Sequence, residues 1–112
     1  MKFYDEEKMR DVREAFEATV MAWPGVRSNE MMGCLCYFRG RKFFAFLITK
    51  GVVVTKLAKD DRSTLSKQVD SKPFEMAGRI ASTWIQVPVR TPGDLPPVLP
   101  YVRKSYDAAS AR

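Results

Sequence analysis

Residues 31–57, MMGCLCYFRGRKFFAFLITKGVVVTKL, decide how the rest of this chain must fold. Apolar and β-branched runs at 33–38, 42–48 and 52–57 are separated by Arg39-Gly40-Arg41 and Thr49-Lys50-Gly51, short glycine-bearing breaks that reverse one strand into the next. The spacing predicts an antiparallel meander. Strict alternation along 42–48 puts Phe44, Phe46 and Ile48 on one face and Phe43, Ala45 and Leu47 on the other, so both faces are apolar and both need cover.

The remainder of the 112 residues must supply that cover, and the length suits one domain with one hydrophobic core. A hydrophobic share of 46% and a charged share of 29% belong to a folded globular chain, not a disordered one. Charges and turns interrupt every apolar run before it reaches the roughly 18 to 20 residues a membrane span needs. Asp5, Glu6 and Glu7 follow Lys2 too closely for a secretion signal, so no membrane and a cytoplasmic location are expected.

Around the meander, Met9, Val12, Phe16, Val20 and Trp23 recur at three- and four-residue steps and predict an amphipathic helix from Tyr4 to about Ala22, ended by Pro24-Gly25. Asp60 or Asp61 is expected to cap a second helix running to about Val69, with Leu65 and Val69 inward. Residues 70–81 read as a loop anchored by Phe74, and 82–89 as a fourth strand in which Pro88 marks an edge or an end. A last helix is expected from Leu95 or Pro96 to about Ala109. Pro100 leaves two starts open, and Val98, Tyr101, Val102, Ser105 and Ala109 form the inward stripe. The expected fold class is α+β, two layers, with a four-stranded antiparallel sheet packed by three helices.

The chain contains no histidine, which removes Ser/His/Asp and Cys/His nucleophile arrangements and the usual proton shuttle near neutral pH. Its two cysteines, Cys34 and Cys36, fall on the same face of a strand, where extended geometry disfavours a bridge between them. They read as reduced core residues. Two sulfurs without histidine fall short of the four ligands zinc favours, so neither a metal site nor a cofactor is expected, a zinc shared across a dimer being the minor alternative.

The order of landmarks resembles a known family. Met31-Met32-Gly33-Cys34-Leu35-Cys36-Tyr37-Phe38, Phe43-Phe44-Ala45, Lys56-Leu57 before Asp60-Asp61-Arg62, Pro73-Phe74-Glu75 and Trp84-Ile85-Gln86-Val87-Pro88 look like the N-terminal domain of TfoX/Sxy proteins, within the wider YjbR-like (MmcQ/YjbR) group. The resemblance runs from Trp23-Pro24-Gly25 to Ser105-Tyr106. It implies the same two-layer α+β domain, a regulatory role linked to competence or a DNA-binding double-wing shape, and no catalytic residues.

Net charge is +6, and residues 23–57 carry six basic side chains against the single acid Glu30. Arg39, Arg41 and Lys42 crowd the first hairpin tip and, with Arg103 and Lys104 of the last helix, are the candidate nucleic-acid contacts. The bland alternative is a solvated tip whose cations keep the sheet soluble. Three helices can cover one sheet face and leave the other to a second copy or another protein, so a homodimer stays open. The sequence therefore favours a small non-enzymatic binding or regulatory module with an unknown protein partner. DNA binding by wing-like basic tips, as in a transcription or competence regulator, is the alternative.

Overall fold

The computed structural model describes residues 3–110. Helix α1 (Glu6–Val20) is followed by strands β1 (Val26–Met31), β2 (Cys34–Arg39), β3 (Lys42–Ile48) and β4 (Gly51–Val54), helix α2 (Lys59–Gln68), strands β5 (Lys72–Met76) and β6 (Arg79–Pro88), and helix α3 (Leu99–Ala108). The strands form one antiparallel sheet in the order β1-β2-β3-β4-β6-β5. The expected α+β class and the three helices are observed. The sheet, however, has six strands instead of four.

The two additional strands were hidden by their turns and their polarity. Met32-Gly33 joins β1 to β2 and Ala77-Gly78 joins β5 to β6, all four residues at positive φ, and Met32 and Ala77 are residue types that seldom adopt that conformation. β1 is an edge strand, VRSNEM, with four of its residues exposed, so it has no apolar alternation to read. The segment expected as a loop, 70–81, contains the whole of β5 and the start of β6 at Arg79, and Phe74 is its buried anchor as expected.

Helix ends follow capping chemistry with two differences from expectation. Asp5 caps α1 by accepting from Glu7 N at 3.0 Å, and Glu6 and Glu7 sit in the first turn against the positive end of the helix dipole. Asp60 and Asp61 do not cap α2. Its N-cap is Ala58, which has no side-chain acceptor, and the two acids act from the first turn instead. The segment after β6 turns through a short 3-10 stretch, Pro92–Asp94, where the Asp94 carboxylate accepts from Arg90 N and Thr91 N at 2.9 and 3.2 Å. Those two backbone bonds hold the Asp94 carboxyl below its ordinary value. Helix α3 begins at Leu99, so Pro100 falls in its first turn, where no amide partner is lost.

All three helices pack on one sheet face. Met9, Val12, Phe16 and Val20 of α1, Leu65 of α2 and Tyr101, Val102 and Tyr106 of α3 share a buried cluster with Tyr37, Phe44, Ala45, Leu47, Val52 and Val54. A partly exposed polar chain laces α1 to this face. Tyr37 Oη donates to Glu17 at 2.8 Å, and Arg13 donates to both Glu17 and Glu6 at 2.9 Å. Burial, then the bond to Glu17, pushes the Tyr37 phenol well above its ordinary value, while Arg13, then Tyr4, holds Glu6 below its own.

Much of the second face is covered by the sheet itself. Three strand spacings, about 14 Å, would separate β3 from β5 in a flat sheet, yet the Phe46 and Phe74 rings lie 5.1 Å apart. The sheet is therefore rolled. Its bend is visible in the register, where Pro73 pairs with Ile85 and the next residue, Phe74, pairs with Ala81, leaving Ser82, Thr83 and Trp84 of β6 against a single step of β5. Phe74 and Trp84 thus lie over Phe43 and Phe46, and Cys34, Cys36, Ile48 and Val53 are buried with them.

The faces of β3 also differ from strict alternation. Tyr37 pairs with Ala45 but Phe38 pairs with Phe43, so Phe44 is an extra residue in a β-bulge. The bulge moves Phe44 onto the helix face beside Ala45 and Leu47 and moves Phe43 to the opposite face beside Phe46 and Ile48. Ser105 locks it in place: its buried hydroxyl donates to Phe44 O at 2.6 Å and accepts from Lys56 N at 3.0 Å. Among the described residues no helix is long and apolar enough to cross a membrane.

Candidate functional site

The β2–β3 turn and the C-terminal half of α3 meet at one end of the sheet, and the meeting point is the Tyr106 ring. Tyr106 is only 1% exposed because its hydroxyl donates to Pro24 O at 2.5 Å and its ring packs on Trp23 and Phe44 at 5.1 and 5.4 Å. Arg39, the last residue of β2, lays its guanidinium 4.2 Å from the centre of that ring and donates to Tyr106 O at 3.1 Å. Arg103 reaches the same ring from α3 at 5.0 Å, lies 5.2 Å from Trp23, and donates to Asp107 at 3.2 Å. Two arginines far apart in the chain thus converge on one aromatic support. An aromatic face contributes about 0.5 to 2 kcal/mol to each such contact.

Arg41 and Lys42 stand exposed at the turn beside Arg39. Lys104 does not join them. It extends from α3 toward α2, where its ammonium is 3.7 Å from Asp61, and its charge is partly matched there. Of the five sequence candidates, Arg39, Arg41, Lys42 and Arg103 belong to this end of the molecule and Lys104 faces another neighbour.

Two further cations were missed. Arg27 of β1 pairs in register with Phe38, lies 4.6 Å over its ring and donates from Nε to Gly40 O at 3.1 Å, bracing the turn. Lys56, just past β4, holds its ammonium 5.8 Å from the Phe43 ring centre. Recognising Arg27 required β1, which has no apolar pattern. Recognising Lys56 required the bulge that turns Phe43 outward from the helices. Among the described residues Arg27, Arg39, Arg41 and Lys56 form no ion pair, so the turn presents cationic charge that the protein itself leaves unneutralised. Arginines already braced on rings lose less side-chain freedom when they engage an anion.

The cysteine pair is buried on the second sheet face, both thiols free and directed to backbone oxygens of Met32 and Met31. Burial pushes Cys34 up to about 11; burial and then the neighbouring Cys34 push Cys36 up to about 12. Neither is a thiolate nucleophile near neutral pH. Among the described residues no three His, Cys, Asp or Glu side chains are grouped to hold a metal ion. No protein-family model, no curated protein and no solved structure matches this chain.

Proposed function

We propose that this protein is a non-enzymatic binding or regulatory module of the TfoX N-terminal/YjbR-like type, working in the cytoplasm, and that the ligand its geometry suits best is a nucleic-acid backbone. The observation that carries the reading is the convergence of Arg39 and Arg103 on Tyr106 beside the exposed Arg41 and Lys42. Arg27 braces the same turn through Gly40 O. Guanidinium forks held at fixed positions fit phosphate oxygens, and their contacts place a duplex without reading its bases. The absence of histidine supports a binding role over catalysis.

The test is a fluorescence-anisotropy titration with generic duplex DNA over a salt series. Four phosphate contacts give a log–log salt slope of about −3.6, so affinity falls roughly 100-fold between 50 and 200 mM salt. The double variant Arg41→Ala/Lys42→Ala, at exposed positions outside the core, should flatten the slope by about 2. No binding at low salt, or an unchanged slope in the variant, overturns the reading.

A further inference from the structure

The opposite end of the sheet holds a second polar feature, separated from the β2–β3 turn by the length of β3, about 20 Å for its seven residues. The β3–β4 turn brings Thr49 and Lys50, the end of β6 brings Gln86 and Pro88, and the entry into β5 brings Asp70 and Lys72 around one open cleft of about 540 Å³, which Arg90 also lines. That volume lies within the range of small-molecule sites, about 300 to 1,000 Å³.

Three observations give the cleft a chemistry. Lys50, Lys72 and Arg90 line the cleft with one acid, Asp70, and among the described residues none of the three cationic side chains makes an ion pair or a hydrogen bond, although the Arg90 charge is also felt by Asp94 on its other side. Asp70, Pro88 and Arg90 form a wall shared with a neighbouring hollow that also holds Asp94, whereas Lys50 and Lys72 line the first cleft alone. The third observation is Gln86. It is only 7% exposed, yet its side-chain amide bonds to no described residue. Among the described residues no fully buried side-chain nitrogen or oxygen lacks a partner, so the amide must reach solvent, and the solvent-filled space it lines is the cleft.

An amide that opens into a cleft with no protein partner is bonded by water, which a ligand can displace where it reproduces those bonds. Gln86 is held there by register, flanked on the same sheet by Val53 of β4 and Lys72 of β5, while its neighbours Ile85 and Val87 face the helices. Thr49 adds a hydroxyl: its oxygen already accepts from Asp5 N at 2.9 Å, which leaves its O–H to donate. Two lysines, an arginine, a hydroxyl donor and an amide that both donates and accepts match a phosphomonoester better than a monocarboxylate, since the second negative charge and extra oxygens use the additional donors.

We infer that this cleft is a binding site for a small, hydroxyl-bearing phosphomonoester, with the phosphate among Lys50, Lys72 and Arg90 and the Gln86 amide bonding the organic part. The site is independent of the DNA-contact reading, because it shares no residue with the β2–β3 turn.

The experiment is a ¹⁵N-detected NMR titration of the full chain at low ionic strength with ribose 5-phosphate, and with ribose as the neutral counterpart. Saturable shifts of the Gln86 side-chain amide and of the Lys72 and Arg90 backbone amides are expected with ribose 5-phosphate and none with ribose. Lys50→Ala/Lys72→Ala, at exposed positions, should weaken binding at least about tenfold, and Arg90→Gln provides a second exposed variant expected to weaken it. Absence of saturable shifts, shifts confined to residues 39–42, equal response to ribose, or affinity unchanged in both variants overturns the assignment.

Discussion

Replacing Ser105 by alanine isolates the contact that ties α3 to the bulged strand. The serine is fully buried, and its hydroxyl serves two backbone groups at once, donating to Phe44 O at 2.6 Å and accepting from Lys56 N at 3.0 Å. The two losses differ. Phe44 O keeps a second donor, Thr55 N at 3.2 Å, so it remains bonded, whereas no other acceptor is present for Lys56 N among the described bonds. An orphaned, partly buried N–H costs about 1 to 3 kcal/mol, so the expected destabilisation is about 2 kcal/mol. For a chain of this size that corresponds to a fall in Tm of roughly 8 °C. Urea unfolding followed by circular dichroism should show a lower midpoint with an unchanged slope, because the surface exposed on unfolding is the same. Ser66→Ala, at an exposed site whose hydroxyl bonds only Ser63 O, is the control and should change stability by less than about 0.5 kcal/mol. A Ser105→Ala loss as small as the control's would refute the bridging role and mean that water reaches Lys56 N.

Other perturbations test the rolled sheet and the buried thiols. Gly51→Ala should destabilise by about 3 kcal/mol or more, because a Cβ there would collide with Val87 O and approach Val89 N to 2.7 Å where β4 meets β6; a Tm within about 2 °C of the parent would contradict that close approach. Phe74→Ala removes the ring that covers Phe46 and should cost about 3 to 5 kcal/mol. It should also open the β5–β6 hairpin to trypsin after Arg79 before cleavage within β3, and simultaneous cleavage would mean the hairpin does not open separately. Cys34 and Cys36 should resist thiol reagents near neutral pH in the folded protein and react only on unfolding. Their folded values, about 11 and 12, lie above the ordinary 9.0, so the folded state holds its protons longer. Stability is then complete below about pH 9 and falls as pH rises toward 11 to 12, where the unfolded thiols ionise first. Stability that increases over that window would contradict the burial of both thiols.

What could be read from residue order alone was whatever rests on local periodicity. Met9, Val12, Phe16 and Val20 repeat at helical spacing and are the buried stripe of α1, and the strand expected at 42–48 is β3, Lys42–Ile48. Leu65, Val98, Tyr101, Val102, Ser105 and Ala109 are buried as their spacing predicts, because a side chain three or four residues along a helix returns to the same side whatever it packs against. The lack of histidine likewise needs no coordinates. Pairing between distant segments was not legible. A bulge shifts the parity of every following side chain, and the Phe44 bulge arises from the step between β2 and β3, so only the paired strands decide that Phe43 faces Trp84 and Phe44 faces Tyr106. The same holds for the β5–β6 roll that lays Phe74 over Phe46, for Arg39 and Arg103 meeting on one ring, and for Gln86 opening into a cleft with Lys50 and Lys72. Each joins residues that are remote in the chain, and their meeting is a consequence of sheet register and curvature, which no single segment encodes.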